Sequence, residues 1–146
     1  MLKWTGLMTG LTLCLMASTD VSGASTTGLE QFRWKNRVLV VFADRTGAMA
    51  NEQVERLKRV NPGATERDMV LVLIKGNAVQ TFPTARASLD ASALRTRLNG
   101  PDDGSFEVLL IGKDGGIKLR DTKPVATDAL FTLIDTMPMR SNETRK

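Results

Sequence analysis

The sequence predicts an α/β domain with a sheet that is parallel where it starts and antiparallel where it ends. Two unbroken apolar runs, Val38-Leu39-Val40-Val41-Phe42 and Met69-Val70-Leu71-Val72-Leu73-Ile74, have the β-branched, non-alternating composition of strands covered on both faces. A helical stretch separates them, so the second strand comes back parallel to the first. A third apolar run, Phe106 to Ile111, leads into Asp114-Gly115-Gly116 and a short alternating arm. Asp-Gly between two apolar segments marks a hairpin, since both residues tolerate a positive φ. At 146 residues the chain is long enough for one such domain.

Each element follows from local chemistry. Residues 25–28 are a polar lead-in, and Leu29 to Arg37 mixes apolar and basic residues before the first strand. Asp44 to Ala50 is a loop containing Gly47. Asn51 is the expected cap of a helix over Glu52 to Val60, with Val54, Leu57 and Val60 as its apolar stripe. Glu52 and Glu55 suit its positive end, and Lys58 and Arg59 its negative end. Asn61-Pro62-Gly63 stops it.

After the second strand, Val79 and Phe82 suggest a short edge strand within an otherwise unreadable stretch, 75–87. Asp90 caps the next helix, Leu89 staples onto Leu94, and Asn99-Gly100 ends it. Pro101 to Gly104 is an exposed acidic loop. Thr127 is the expected cap of a last helix carrying Leu130, Phe131, Leu133, Ile134 and Met137, which Pro138 ends. Residues 140–146 read as a charged tail. The order strand-helix-strand-helix-strand-strand-helix is that of a thioredoxin-like fold.

The first 24 residues read as an export signal. Lys3 opens it, an apolar run from Leu7 to Ala17 follows, and Ser22-Gly23-Ala24 offers small residues for cleavage between Ala24 and Ser25. The run is about half the ~20 residues that a membrane span needs. The one cysteine, Cys14, lies inside it and follows Leu13, which is too large for a lipobox. The expected location is therefore periplasmic or secreted, with no stable membrane anchor after cleavage and no disulfide in the mature chain.

The block Val108 to Arg120, with Leu130-Phe131 and Ile134 to Arg140 after it and Trp34-Lys35-Asn36-Arg37 before the first strand, resembles a domain of unknown function found in small secreted bacterial proteins. That family is related to the C-terminal domain of animal sushi-repeat-containing proteins and of a coiled-coil-domain matrix protein. The resemblance spans Leu29 to Glu143. It implies a thioredoxin-like fold and an extracytoplasmic setting, and it supplies no catalytic residue.

Composition excludes several chemistries. Without histidine, and with Cys14 as the only thiol, there is no His-based triad, no His or Cys metal site and no CxxC redox pair. Thiol–disulfide exchange needs a thiolate, and Asp44 to Asn51, where a thioredoxin-like enzyme keeps its cysteines, holds none. No proline directly precedes Phe106. The acidic residues form no pattern of paired catalytic carboxylates. No cofactor and no metal is expected. The net charge of +4 is spread out, which argues against nucleic acid.

The expected role is a non-redox module binding an extracytoplasmic protein. Interface hot spots favour Trp and Arg, which makes Arg33, Trp34, Arg37, Arg120 and Arg140 the candidate face. The alternative is a small-anion-binding protein or hydrolase using Lys113, Asp114, Arg120 and the Asp44–Asn51 loop. Those groups serve one ligand only if the hairpin turn and that loop share a pocket. A third reading has the charged tail docking elsewhere.

Overall fold

The computed structural model describes residues 27–84 and 88–145. The signal reading of residues 1–24, with its cleavage point, lies outside them. A 3-10 turn (Leu29–Phe32) leads to β1 (Arg37–Phe42), α1 (Ala48–Arg59), α2 (Asn61–Glu66), β2 (Met69–Lys75) and β3 (Ala78–Phe82). Then follow α3 (Ala91–Leu98), β4 (Glu107–Ile111), β5 (Ile117–Asp121), α4 (Thr127–Asp135) and α5 (Pro138–Glu143). The five strands form one sheet in the order β3-β2-β1-β4-β5.

The expected mixed sheet is present. β1 pairs parallel with β2 and antiparallel with β4, with Val40 opposite both Val72 and Leu109. β3 and β5 are the antiparallel edges. Alternation along the central strands sorts their side chains into two layers. Leu39, Val41, Leu71, Leu73, Val108 and Leu110 pack with α1, α2 and α4. Val38, Val40, Phe42, Val70, Val72 and Leu109 pack with Phe32 and α3. Both faces are covered, which explains why these strands read as continuous apolar runs.

Several local expectations change. α1 begins before Asn51, because the Asp44 and Thr46 side chains take the orphan N–H groups of Ala50 and Ala48, at 3.3 Å each. Pro62 stops nothing for long: it sits in the first turn of α2, where its missing N–H costs no bond. Pro138 does the same for α5, so most of the segment read as a charged tail is helix. Ala126, not Thr127, holds the N-cap of α4. At the hairpin only Gly115 takes a positive φ (84°), with Gly115 N–H donating to Gly112 O and Gly112 N–H to Gly116 O, both at 2.9 Å. This is the three-residue form of the turn rather than the two-residue form.

α3 ends as expected. Asp90 accepts from Ala93 N at 2.6 Å, and Asn99 is left-handed (φ 50°). Gly100 N–H closes on Arg95 O at 2.9 Å. A Cβ on Gly100 would lie 2.4 Å from the ring of Phe42, a core side chain 1% exposed. Gly100→Ala should therefore cost about 2 kcal/mol through overpacking, read as a lower urea midpoint at unchanged m-value.

Candidate functional site

The charged residues singled out in the sequence have different fates. Arg37, at the start of β1, is 1% exposed. Its guanidinium donates to Arg67 O at 2.9 Å and pairs with Glu143 at 3.3 Å. Lys113, just after β4, is 8% exposed and bonds Asp68 at 2.7 Å and Glu143 at 2.5 Å. Arg140, on α5, is also buried, donating to the backbone O and carboxylate of Glu66 and to Asp135. Arg67 completes the cluster, gripping Asp135 at 2.7 Å and lying over the Phe131 ring at 4.3 Å. Four cations (Arg37, Arg67, Lys113, Arg140) thus meet four carboxylates (Glu66, Asp68, Asp135, Glu143).

Buried charges persist only when paired and hydrogen-bonded, and this cluster meets that condition. Burial alone would raise the Glu143 carboxyl; hydrogen bonds from Lys113 and Arg37, with their charge, outweigh it and hold the pKa below the ordinary 4.5. The Arg67 hydrogen bond lowers Asp135 from 3.8, with Arg140 adding to it. Arg37, Lys113 and Arg140 therefore hold α5 against the entrance of β1. They are enclosed in the domain rather than forming an open binding face. Sequence reasoning missed Glu143 at the centre of this cluster. The one signal was its i,i+3 spacing from Arg140.

Arg120 is also engaged. It donates to Leu98 O and to Asn99 O at 3.3 Å and pairs with Glu107 at 2.8 Å. A guanidinium on the terminal carbonyls of α3 complements the negative end of that helix. It ties edge strand β5 to α3. Asp114 serves the turn: it accepts from Gly116 N at 3.0 Å and pairs with Lys118 at 2.7 Å. The Lys118 hydrogen bond, then that of Gly116 N–H, lowers its pKa from 3.8.

Arg33 and Trp34 lie on the surface, and unlike the exposed Arg120 their side chains make no ion pair among the described residues. Trp34 is 60% exposed, and its backbone is left-handed, with φ 66°. Its N–H donates to Lys113 O at 2.6 Å, which pins the segment to the hairpin turn. The Arg33 guanidinium lies 5.3 Å from the Trp34 ring centroid, within cation–π range. Lys35 beside it is exposed.

The second candidate region lies at the other end of the sheet. The hairpin turn follows Ile111, which pairs with Val38 at the start of β1, whereas the Asp44–Ala48 segment follows the end of β1. A strand of this length separates them by on the order of 20 Å, so they do not share a pocket. At that far end Asp44 itself occupies the N-terminus of α1. The Thr46 hydroxyl holds its carboxyl below 3.8 against the opposing effect of burial, and the Ala50 N–H adds to the lowering. A carboxylate already sits where an anion would dock. Arg45 is turned onto Asp103 O, at 2.8 Å. Among the described residues no His, Cys, Asp or Glu grouping could hold a metal ion, and no helix is long and apolar enough to cross a membrane.

Fold and site together define a thioredoxin-like α/β domain with a single cysteine, Cys14, and no CxxC pair. A solved structure with this fold is the reduced 2-Cys peroxiredoxin of Plasmodium vivax. It superposes with a TM-score of 0.55 at 16% identity, over 78% of this chain and 84% of that one. At that identity the likeness concerns the fold alone. Residues 28–143 match the family described as Domain of unknown function (DUF4174), and the chain belongs to that family. A search of curated proteins gave no match.

Proposed function

We propose that this chain is an exported, non-redox binding module that docks a protein partner through the face around Trp34. The observation behind this reading is the conformation of Trp34 itself. A bulky residue at positive φ costs of order 1–3 kcal/mol, and a 60% exposed indole returns little of that by burial. Large amphipathic rings flanked by arginine are the commonest hot-spot chemistry at protein interfaces. Here Arg33 and Lys35 flank the ring, so the partner surface that fits is apolar with a carboxylate rim. The Lys3-to-Ala24 pattern supports export. A mature chain without a thiol supports a non-redox role.

The test separates binding from folding. Trp34→Gly removes the strain together with the ring, so it should leave the urea midpoint unchanged or raise it by up to about 1 kcal/mol of stability. The same variant should lose a partner that the unaltered domain captures from its own envelope extract. A partner retained equally by both proteins, or no captured partner at all, overturns the reading.

A further inference from the structure

A second feature lies at the opposite end of the sheet from Trp34 and does not depend on it. A crevice of about 260 Å³ opens at the carboxyl ends of the parallel strands β1 and β2, with Arg45, Lys75, Gly76, Arg95 and Gly104 in its lining. Backbone bonds assemble its walls: Ala43 N–H donates to Ile74 O at 2.9 Å, and Arg45 N–H to Gly104 O at 3.0 Å. The chain leaves β1 for α1 on one face of the sheet and leaves β2, by way of β3, for α3 on the other. In open α/β sheets ligands bind outside the carboxyl ends of the strands, where connections diverge in this way.

Three cations bring their charged ends to this crevice, and none is ion-paired among the described residues. A Cβ on Gly47 would lie 3.8 Å from Lys75 Nζ, so that ammonium sits beside the first turn of α1. Lys75 is exposed, and a cation at the positive end of a helix is disfavoured. Arg95 reaches from α3 to Gly76 O at 2.6 Å, using one nitrogen of its guanidinium. Arg45 lies across Gly104 and donates to Asp103 O. Carbonyl partners leave both charges uncompensated. Two carboxylates share the lining. Asp44 is committed to the Thr46 hydroxyl and Ala50 N–H, and Asp102 is exposed. We infer that this crevice binds a small oxyanion of the phosphate type, free or as a phosphate monoester, held by Lys75, Arg95 and Arg45. Guanidinium forks and an ammonium are the groups that hold such oxyanions. With Asp44 absorbed by the end of α1, three cations against Asp102 leave an excess of two positive charges. A dianion matches that excess and a monocarboxylate does not. The ligand meets side chains rather than the N–H groups of α1, which Asp44 already takes.

The experiment is an NMR titration of the intact protein with inorganic phosphate and, separately, methyl phosphate, at constant ionic strength. Acetate is the comparison probe. Either phosphate probe should shift the Gly76 and Gly104 amides saturably, roughly fivefold or more tightly than acetate, while the Gly115 amide at the hairpin stays still. Tighter methyl phosphate identifies a monoester as the ligand, and tighter inorganic phosphate a free ion. Lys75→Ala removes a side chain that makes no bond among the described residues, so the fold should keep its stability while phosphate weakens by roughly fivefold or more. Asp102→Asn should tighten phosphate, and Lys123→Ala, which lies outside the crevice, should leave it unchanged. Shifts that spread over the surface without saturating overturn the inference. So does an acetate response equal to that of phosphate, or a Lys75→Ala variant that binds as the unaltered protein does. None of these results bears on Trp34, which lies outside the crevice lining.

Discussion

Glu143→Gln should lower the unfolding free energy by about 3 kcal/mol, the lower end of the range for breaking a buried ion pair. The reason lies in what each cation keeps. Lys113 retains Asp68, and Arg140 retains Glu66 and Asp135. Arg37 has Glu143 as its one ion-pair partner among the described residues, and at 1% exposure water does not replace it. Glu143 is itself about a quarter exposed, which keeps the loss from being larger. Adding Arg37→Met to Glu143→Gln should restore part of the loss, because an apolar side chain of similar length removes the stranded charge. Urea denaturation of the two single variants and the double variant measures this directly.

The same cluster sets a pH dependence. Glu143 and Asp135 have folded pKa values below their ordinary 4.5 and 3.8. Their contribution is present above the unfolded values and is lost as pH falls through the folded ones. Stability should therefore be flat between pH 7 and about 5 with respect to these groups, then decline below about 4.5. Glu143→Gln should show a shallower decline than the unaltered protein. Equal slopes would remove Glu143 from the acid response.

Gln53→Leu should cost a similar amount, about 3 kcal/mol, for a different reason. Gln53 is fully buried on α1. Its amide donates to Val125 O at 3.2 Å and accepts from Val125 N at 2.7 Å. One side chain thereby satisfies both backbone groups of a residue in the connection between β5 and α4. Leucine leaves the two groups unpaired at ~1–3 kcal/mol each, partly offset by its own apolar burial. The measurement is the urea midpoint together with hydrogen exchange at the Val125 amide, which should accelerate. An unchanged Val125 exchange rate would show that the clamp is not needed.

The placement of charges changes what can be called a site here. Arg37, Lys113, Arg140 and Arg120 look alike in the sequence to the exposed Arg33 and Lys35. In the fold they tie α5 to β1 and β5 to α3.

How far the sequence reached can be read element by element. Apolar runs at 38–42, 69–74 and 106–111 were legible because a strand buried on both faces needs β-branched, uninterrupted composition, a local property. Asp90 and Asn99-Gly100 were legible because capping acts over three or four residues. The absence of a redox pair needed only a count of cysteines. Pro62 and Pro138 misled because one residue type both ends a helix and starts one, and the choice depends on what the next turn packs against. The partners of Arg37 lie 106 residues away at Glu143 and 30 away at Arg67 O, and those of Gln53 lie 72 away. No local pattern records such distances. Composition and short-range periodicity set the layers of this domain. Its buried charges, its Gln53 clamp and the separation of turn from loop arise only once β1 is sandwiched between β2 and β4, which brings distant side chains within hydrogen-bonding range.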